Sequence, residues 1–319
     1  VEFEMTAKVF IDGEAGTTGL QISARLAGRN DISLLHLNDE ERKDADRRRE
    51  MLNAADLAVL CLPDDAAREA VSLIDNAQTK VIDASTAHRT ADGWVFGFPE
   101  YEIGHREKIA AANRVANPGC YAICSIASIH PLIACGILKA DWPVTINAVS
   151  GYSGGGKSLI AEFEDEQFEA HTDAPLFTYC HSLRHKHLPE ITKWSGLEHE
   201  PVFVPSVGRY AQGMIVQVPL PLWAMPGDWK PGDVHAALAD HYKGEHFVTV
   251  PSPEQIGEIE RLSPEGLNGT NELRLHVFGS AVGEQAVVMA LIDNLGKGAS
   301  GQAVQNLNIM LGLPEGEGF

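Results

Sequence analysis

"KVFIDGEAGTTGLQISARLAG", residues 8–28, decides the fold. "KVFIDG" reads as a strand and "TTGLQISARLAG" as a helix, with a glycine turn between them. Gly13, Gly16 and Gly19 form G-x-x-G-x-x-G, not the commoner G-x-G-x-x-G. The physics is the same. Glycines permit positive φ and close backbone approach, and the following helix offers free N–H groups to a pyrophosphate. A turn that only joins strand to helix is the plainer reading. Its place at the opening of the first βα unit favours dinucleotide binding. Further on, "ISLLHL", "DLAVLCLP", "KVIDAS" and "RVAN" read as strands. A charged helix through "DEERKDADRRREMLN" and a second helix, "DDAAREAVSLIDN", alternate with them. Such alternation means βαβ units around a parallel sheet. After the second strand, Asp39 or Glu40 could hold a ribose 2′-OH, as for NAD. Arg42, Lys43 and Arg47 to Arg49 could instead neutralise a 2′-phosphate, as for NADP. A solvated helix face of acid–base pairs is the expected fate of most of that cluster.

From about residue 144 the texture changes. "VTINAV", "VFVPSV", "MIVQVPLPL", "HFVTV", "LRLHVFG" and "AVVMALID" come close together, which predicts a mostly antiparallel sheet with helices on one face, hence a second domain. "GASGQAVQNLNIMLG" returns to a helical period, with Ala303, Leu307 and Leu311 in step. The 319 residues are 44% hydrophobic and 22% charged, ample for real cores. A net charge of −19 argues against nucleic acid or an anionic membrane as main partner. Anionic small molecules would have to meet local donors instead. No apolar run approaches a membrane span, and "VEFEMTAK" lacks the apolar core of a signal peptide. Met5 is a candidate natural start, with "VEFE" an added leader. The cysteines at 61, 120, 124, 135 and 180 are odd in number and lack C-x-x-C spacing, which favours a reducing cytoplasm and one special thiol.

Three further segments carry chemistry. "NPGCYA", 117–122, is a turn followed by the apolar run "YAICSIASIHPLIACGIL", read as a buried helix interrupted at Pro131. Cys120 then sits at a helix N-terminus, whose partial positive charge favours thiolate over thiol. The other cysteines read as small core hydrophobes. "HSLRHKHLPEI", 181–191, offers His185 and His187 as proton donor and base, and Arg184 and Lys186 as anion anchors. His181 and His185 at i, i+4 with Glu190 beyond could suggest zinc, but H-E-x-x-H is absent and no cysteine pair supports it. "SGYSGGGKS", 150–158, fits the P-loop pattern from Gly151 to Ser158. A triphosphatase would need Asp293 or Asp83 for Mg²⁺. A plain glycine turn and a backbone nest for a non-nucleotide phosphate are the alternatives.

Together these segments resemble the N-acetyl-gamma-glutamyl-phosphate reductase family in its shorter bacterial form. It is similar in turn to aspartate-semialdehyde dehydrogenase and, more distantly, to the phosphorylating glyceraldehyde dehydrogenases. The marks are "KVFIDGEAGTTGLQI", "LCLPDDAA", "VIDASTAHR", "NPGCYA", "SGYSGGGKS", "HKHLPEI" and "DNLGKGASGQAVQNLN". The resemblance implies an α/β fold. A Rossmann-type NADP-binding domain would span 5–118 and 297–319, and an α+β catalytic and oligomerisation domain 119–296. It implies a cytoplasmic homodimer or homotetramer that reduces N-acetyl-glutamyl 5-phosphate to the 5-semialdehyde with NADP(H) and releases phosphate, without a metal. Cys120 matches the family's nucleophile. His185 and His187 match its H-x-H pair, His185 being the first choice as acid/base. Gly13, Ala15, Gly16, Thr17, Thr18, Gly19, Pro63 and Asn306 fall on cofactor-binding segments. Ser85, Arg89, Asn117, Ser153, Gly154, Gly155 and Arg184 fall on segments that line the substrate. Ile123 and Cys124 stand where smaller or hydroxylated residues are expected, so no threonine hydroxyl acts there. The competing readings are an aspartyl semialdehyde dehydrogenase, a P-loop phosphotransferase and a module that senses NADP(H) without chemistry.

Overall fold

The computed structural model describes residues 6–319. The candidate start at Met5 and the "VEFE" ahead of it lie outside the described residues. The chain divides into two compact units, one running through Gly119 and resuming at Ala299–Phe319, the other Cys120–Gly298.

The first unit runs β1 (Ala7–Asp12), α1 (Thr17–Leu26), β2 (Ile32–Leu35), α2 (Ala45–Ala54), β3 (Leu57–Leu60), α3 (Asp64–Ser72), β4 (Lys80–Asp83), β5 (Val95–Phe96), α4 (His105–Ala111) and β6 (Arg114–Ala116). The strands form one parallel sheet in the order β2-β1-β3-β4-β6-β5. The central strand β3 is apolar throughout, and β1 and β4 are apolar between their polar ends, because both faces are covered. On one face Val9, Ile11, Val59 and Ile82 pack with Ile22 and Leu26 of α1, Ile109 of α4, and Val304 and Leu307 of the C-terminal helix, Gly301–Leu311. On the other, Phe10, Ala58, Leu60 and Val81 pack with Leu52 of α2 and Ala67 and Ala70 of α3. This is the doubly wound arrangement that the strand–helix alternation predicts. The two-residue β5 carries no sequence signal of its own.

The second unit runs α5 (Cys120–Ala134), β7 (Thr145–Gly151), α6 (Gly156–Glu164), β8 (Leu176–Thr178), α7 (Leu188–Ser195), β9 (Val202–Gly208), β10 (Met214–Leu220), α8 (Pro231–His241), β11 (Val248–Thr249), α9 (Pro253–Gly257), β12 (Leu273–Gly279) and β13 (Ala286–Ile292). The helix Gly301–Leu311 is α10. The sheet order is β11-β12-β13-β10-β7-β9-β8, antiparallel except at β7–β9 and β11–β12. Residues 121–129 of α5 are all buried, so the helix is apolar all round rather than amphipathic. It is not interrupted at Pro131. Proline lacks the N–H that would bond the Ala127 carbonyl, and the Tyr242 hydroxyl donates to that carbonyl instead, at 3.0 Å. The helix therefore continues to Ala134.

Candidate active site

In the first unit, strand order reverses between β1 and β3, and the crevice beyond their carboxyl ends is where doubly wound sheets take ligands. Gly13 follows β1 with φ +89°, and a Cβ on it would lie 2.3 Å from the Cys61 carbonyl oxygen that follows β3. A Cβ on Gly19 would lie 2.5 Å from the Gly13 oxygen, so α1 starts tight against its own turn. Gly16 is the N-cap, with no side-chain cap among the described residues and no acidic residue in the first turn. The first helical bond runs from Leu20 N–H to the Gly16 carbonyl at 2.9 Å. The N–H groups of Thr17, Thr18 and Gly19 precede it, and this open helix end suits a phosphate. Ala15 lies in the turn, and Pro63 is exposed at the N-cap of α3. These residues fit a dinucleotide pyrophosphate.

The basic cluster is mostly spent internally. Arg48 is buried and bonds Asp12 at 2.9 Å and Glu69 at 3.1 Å. Arg47 pairs with Glu41 and Glu50, Arg49 with Asp75, and Arg42 with Asp39. Lys43 is exposed. Burial pushes the Asp12 carboxyl above the usual carboxylate value, against the lowering effect of its bonds to Arg48.

Asp83, at the end of β4, accepts from Ser85 Oγ at 2.8 Å and bonds His88 Nδ1 at 2.6 Å; His88 stacks on Trp94. The buried Arg89 donates to the carbonyls of Asn117 and Ala84, both at 3.0 Å. Asn117 donates to the Ala299 carbonyl and accepts from Asn306 Nδ2 at 3.1 Å. Asn306, expected at the cofactor, is fully buried and also bonds the Gly97 carbonyl at 2.9 Å. The structure places Arg89 and Asn306 as braces of the turn ahead of Cys120.

In the second unit Cys120 is the first residue of α5 and is half-buried. A Cβ on Gly298 would come 2.9 Å from the Cys120 Cβ, so glycine leaves the nucleophile its room. The other thiols differ in kind. Burial pushes Cys61 up to about 12 and Cys124 well above an ordinary thiol. Of the four expected in the core only Cys124 is fully buried; Cys61 and Cys180 are half-buried and Cys135, past the end of α5, is exposed.

Tyr121, beside Cys120, gathers the histidine pair. Its ring meets His185 and Phe203 edge-on at 5.6 and 5.2 Å and His187 at 6.0 Å, while the two imidazoles lie 4.7 Å apart. The His187 backbone N–H donates to His185 Nδ1 at 3.1 Å, so in the neutral ring the proton sits on Nε2. That nitrogen faces the Tyr179 hydroxyl at 3.5 Å, and Tyr179 donates to Tyr121 Oη at 3.2 Å. Burial pushes Tyr179 up to about 12, and a charge on Cys120 adds to it, so the phenol stays protonated. The loop that carries His185 holds Cys180 and Leu183 in the left-handed region, at φ +59° and +57°. Such strain persists where the surroundings enforce it, often at functional sites. Arg184 is exposed on the same loop. His181 and His185 share no helix face, since α7 begins only at Leu188, and His181 bonds Thr178 instead. Among the described residues no three His, Cys, Asp or Glu side chains gather to hold a metal.

The glycine loop ends β7, makes one 3-10 turn (Tyr152–Gly155) and enters α6. The P-loop spelling does not make a P-loop. The N–H groups of Gly151, Tyr152 and Ser153 go to the carbonyls of Gly213, Tyr210 and Ala211. A nest built on those three groups is therefore closed, and β7 belongs to a mixed sheet rather than a βαβ series. Gly154 and Gly155 are exposed, and the Ser153 hydroxyl accepts from Asn294 Nδ2 at 3.1 Å. Sequence reasoning gave no role to Tyr121, Tyr179, Gly298 or Asn294. Only Tyr121 and the pair Asn294 and Gly298 stand inside quoted motifs; Tyr179 carries no local signal.

A family model described as "Semialdehyde dehydrogenase, dimerisation domain" matches residues 120–294, and one described as "Semialdehyde dehydrogenase, NAD binding domain" matches 38–112. The chain is 54% identical over 314 residues to N-acetyl-gamma-glutamyl-phosphate reductase 2 of Nostoc sp., covering 97% of this chain and 98% of that protein. It is 53% identical over 310 residues to the N-acetyl-gamma-glutamyl-phosphate reductase of Chelativorans sp., covering 96% and 99%. In fold it is similar to aspartate semialdehyde dehydrogenase II of Vibrio cholerae, solved in complex with ASA, at a TM-score of 0.68, 15% identity and coverage of 96% and 98%. The Francisella tularensis aspartate semialdehyde dehydrogenase gives a TM-score of 0.68 at 13% identity, covering 96% and 100%.

Proposed function

The chain belongs to the N-acetyl-gamma-glutamyl-phosphate reductases of the semialdehyde dehydrogenase family, and from that premise we propose how its own residues carry the reaction. It is an oxidoreductase of arginine biosynthesis that reduces N-acetyl-L-glutamyl 5-phosphate to the 5-semialdehyde and releases phosphate. The observation that carries the mechanism is Cys120 at the head of buried α5, with Tyr121 packed on both His185 and His187.

The Cys120 thiolate attacks the acyl carbon, the bond to the phosphate oxygen breaks, and phosphate departs from a thioester. The Gly13–Gly19 turn, with Ala15, Thr17, Thr18 and Pro63, would hold NADPH, whose nicotinamide would supply the hydride. The His185 Nε2–H donates a hydrogen bond to the developing oxyanion and keeps its proton while the thiohemiacetal oxyanion collapses to aldehyde and thiolate. The Nδ1 bond from the His187 N–H fixes the tautomer on which that donation depends. Within the second unit Ser153 to Gly155 line the substrate and Arg184 offers its anion a cation; within the first, Arg89, Asn117 and Asn306 brace the turn ahead of Cys120. The preference for NADP rests on Lys43 and His36 after β2; His36 already bonds Glu14 of the glycine turn at 3.0 Å.

The domain that carries the site is of the dimerisation type, and the enzyme is an oligomer acting on a small molecule. A homodimer is the form we propose, through the sheet face where Val202 and Val204 are exposed and where Trp142, Pro219, Phe278 and Val287 line a groove. No helix among the described residues is long and apolar enough to cross a membrane. The free cysteines suit a cytoplasmic setting. The test is Cys120→Ala: phosphate-dependent NADP reduction by the semialdehyde disappears while NADP binding persists. Wild-type turnover in that variant would refute the covalent route.

A further inference from the structure

Asn294 follows β13 in a turn that is rigid on every side. The preceding Asp293 accepts from Gln212 Nε2 at 2.5 Å, from Gly269 N–H at 2.8 Å and from Leu295 N–H at 2.9 Å. Asn294 itself is 1% exposed. Its Oδ1 accepts from the Gly213 backbone N–H at 2.7 Å, which can only donate. That settles which end of the amide is which. Nδ2 therefore donates to Ser153 Oγ, at 3.1 Å, and the serine oxygen is the acceptor. The Ser153 N–H is bound to the Ala211 carbonyl at 3.0 Å, so the hydroxyl proton is what this residue has left to offer. Beside it the exposed Gly154 keeps a gap, since a Cβ there would stand 3.3 Å from both Asn294 Nδ2 and Ser150 Oγ.

We propose that Asn294 is a positioning residue that orients the Ser153 hydroxyl so that its proton is offered to the phosphate oxygens of the substrate. A free serine hydroxyl donates or accepts as its ligand requires. One whose oxygen already accepts from a fixed amide keeps a single lone pair and has its proton turned away from that amide, which favours an acceptor-only anion. The glycine loop thus serves phosphate through one side chain, while its first N–H groups serve the fold. The inference rests on the reading of Ser153 as a substrate contact.

Inorganic phosphate is the probe, in NADP-dependent oxidation of the semialdehyde. Ser153→Ala raises the KM for phosphate about 10- to 100-fold, the scale of a hydrogen bond to a charged group, and leaves the KM for NADP unchanged. Asn294→Asp and the neutral Asn294→Ser, each checked for folding by near-UV dichroism, raise the phosphate KM similarly. In the Ser153→Ala background neither adds more than about twofold. An undiminished effect of both substitutions in that background would overturn the role of Asn294 while leaving Ser153 in place. A Ser153→Ala enzyme with wild-type phosphate KM would overturn both. A wild-type protein with no phosphate-dependent turnover would instead reject the reductase reading itself.

Discussion

Replacing Tyr242 by Phe removes one oxygen atom from the second unit and isolates one carbonyl. Tyr242 is 4% exposed, and its hydroxyl is the donor that Pro131 cannot supply to Ala127. The ring stays, so the cavity term is small, and the cost is that of a buried acceptor left without a partner, about 1–3 kcal/mol. In a unit of this size each kcal/mol lowers Tm by about 2–4 °C. The decisive measurement is a double-mutant cycle by urea denaturation. With Pro131→Ala, residue 131 regains an N–H at helical spacing from Ala127, and the tyrosine becomes a second donor to a carbonyl already satisfied. Tyr242→Phe then costs less than about 1 kcal/mol, as for an ordinary redundant hydrogen bond. An equal cost in both backgrounds would show that Tyr242 does not stand in for the missing N–H.

Gly13→Ala combines a positive φ, about 1–3 kcal/mol for a residue with a Cβ, with a clash against the Cys61 carbonyl; calorimetric titration should show NADPH binding weakened more than tenfold. Arg48→Met strands the Asp12 carboxylate in the interior and lowers stability by about 3–5 kcal/mol. Adding Asp12→Asn to that variant recovers part of the loss, and no recovery would mean that the guanidinium acts by packing. Burial depresses the folded-state value of His105, whose Nε2 bonds the Phe96 carbonyl at 2.6 Å. Below the ordinary value of about 6.5 the unfolded chain therefore holds more protons, and stability falls as pH falls toward the folded value. His105→Gln flattens that slope in denaturation series between pH 7 and 5.

Features set by local backbone geometry were legible in the sequence. Gly13 and Gly19 are required by contacts within their own turn and with the carbonyl that follows β3, and Cys120 heads a helix because "NPGC" closes a turn before an apolar run. Features set by distant partners were not. Pro131 reads as a break because nothing nearby announces a hydroxyl at position 242. "SGYSGGGKS" reads as a phosphate nest because the carbonyls of 210–213 that occupy it come some sixty residues later. Arg48 looks like a surface cation until Asp12 draws it inside. Asn306 reads as a ligand contact from its motif, but its helix is buried on every side, so its amide serves the fold.

The first unit is closed by α10, whose Val304 and Leu307 complete the core under β1 and β3. The whole of the second unit is translated between β6 and that helix. During synthesis the cofactor half emerges first, yet one face, covered by α1 and α4, lacks the share that α10 brings until the catalytic half has left the ribosome. The intervening unit begins at Cys120 and ends at Gly298, which lie against each other. Because those two ends touch, the points where the chain leaves the first unit and returns to it are held side by side, and the contact that gives the nucleophile its room also sets the spacing between Gly119 and Ala299.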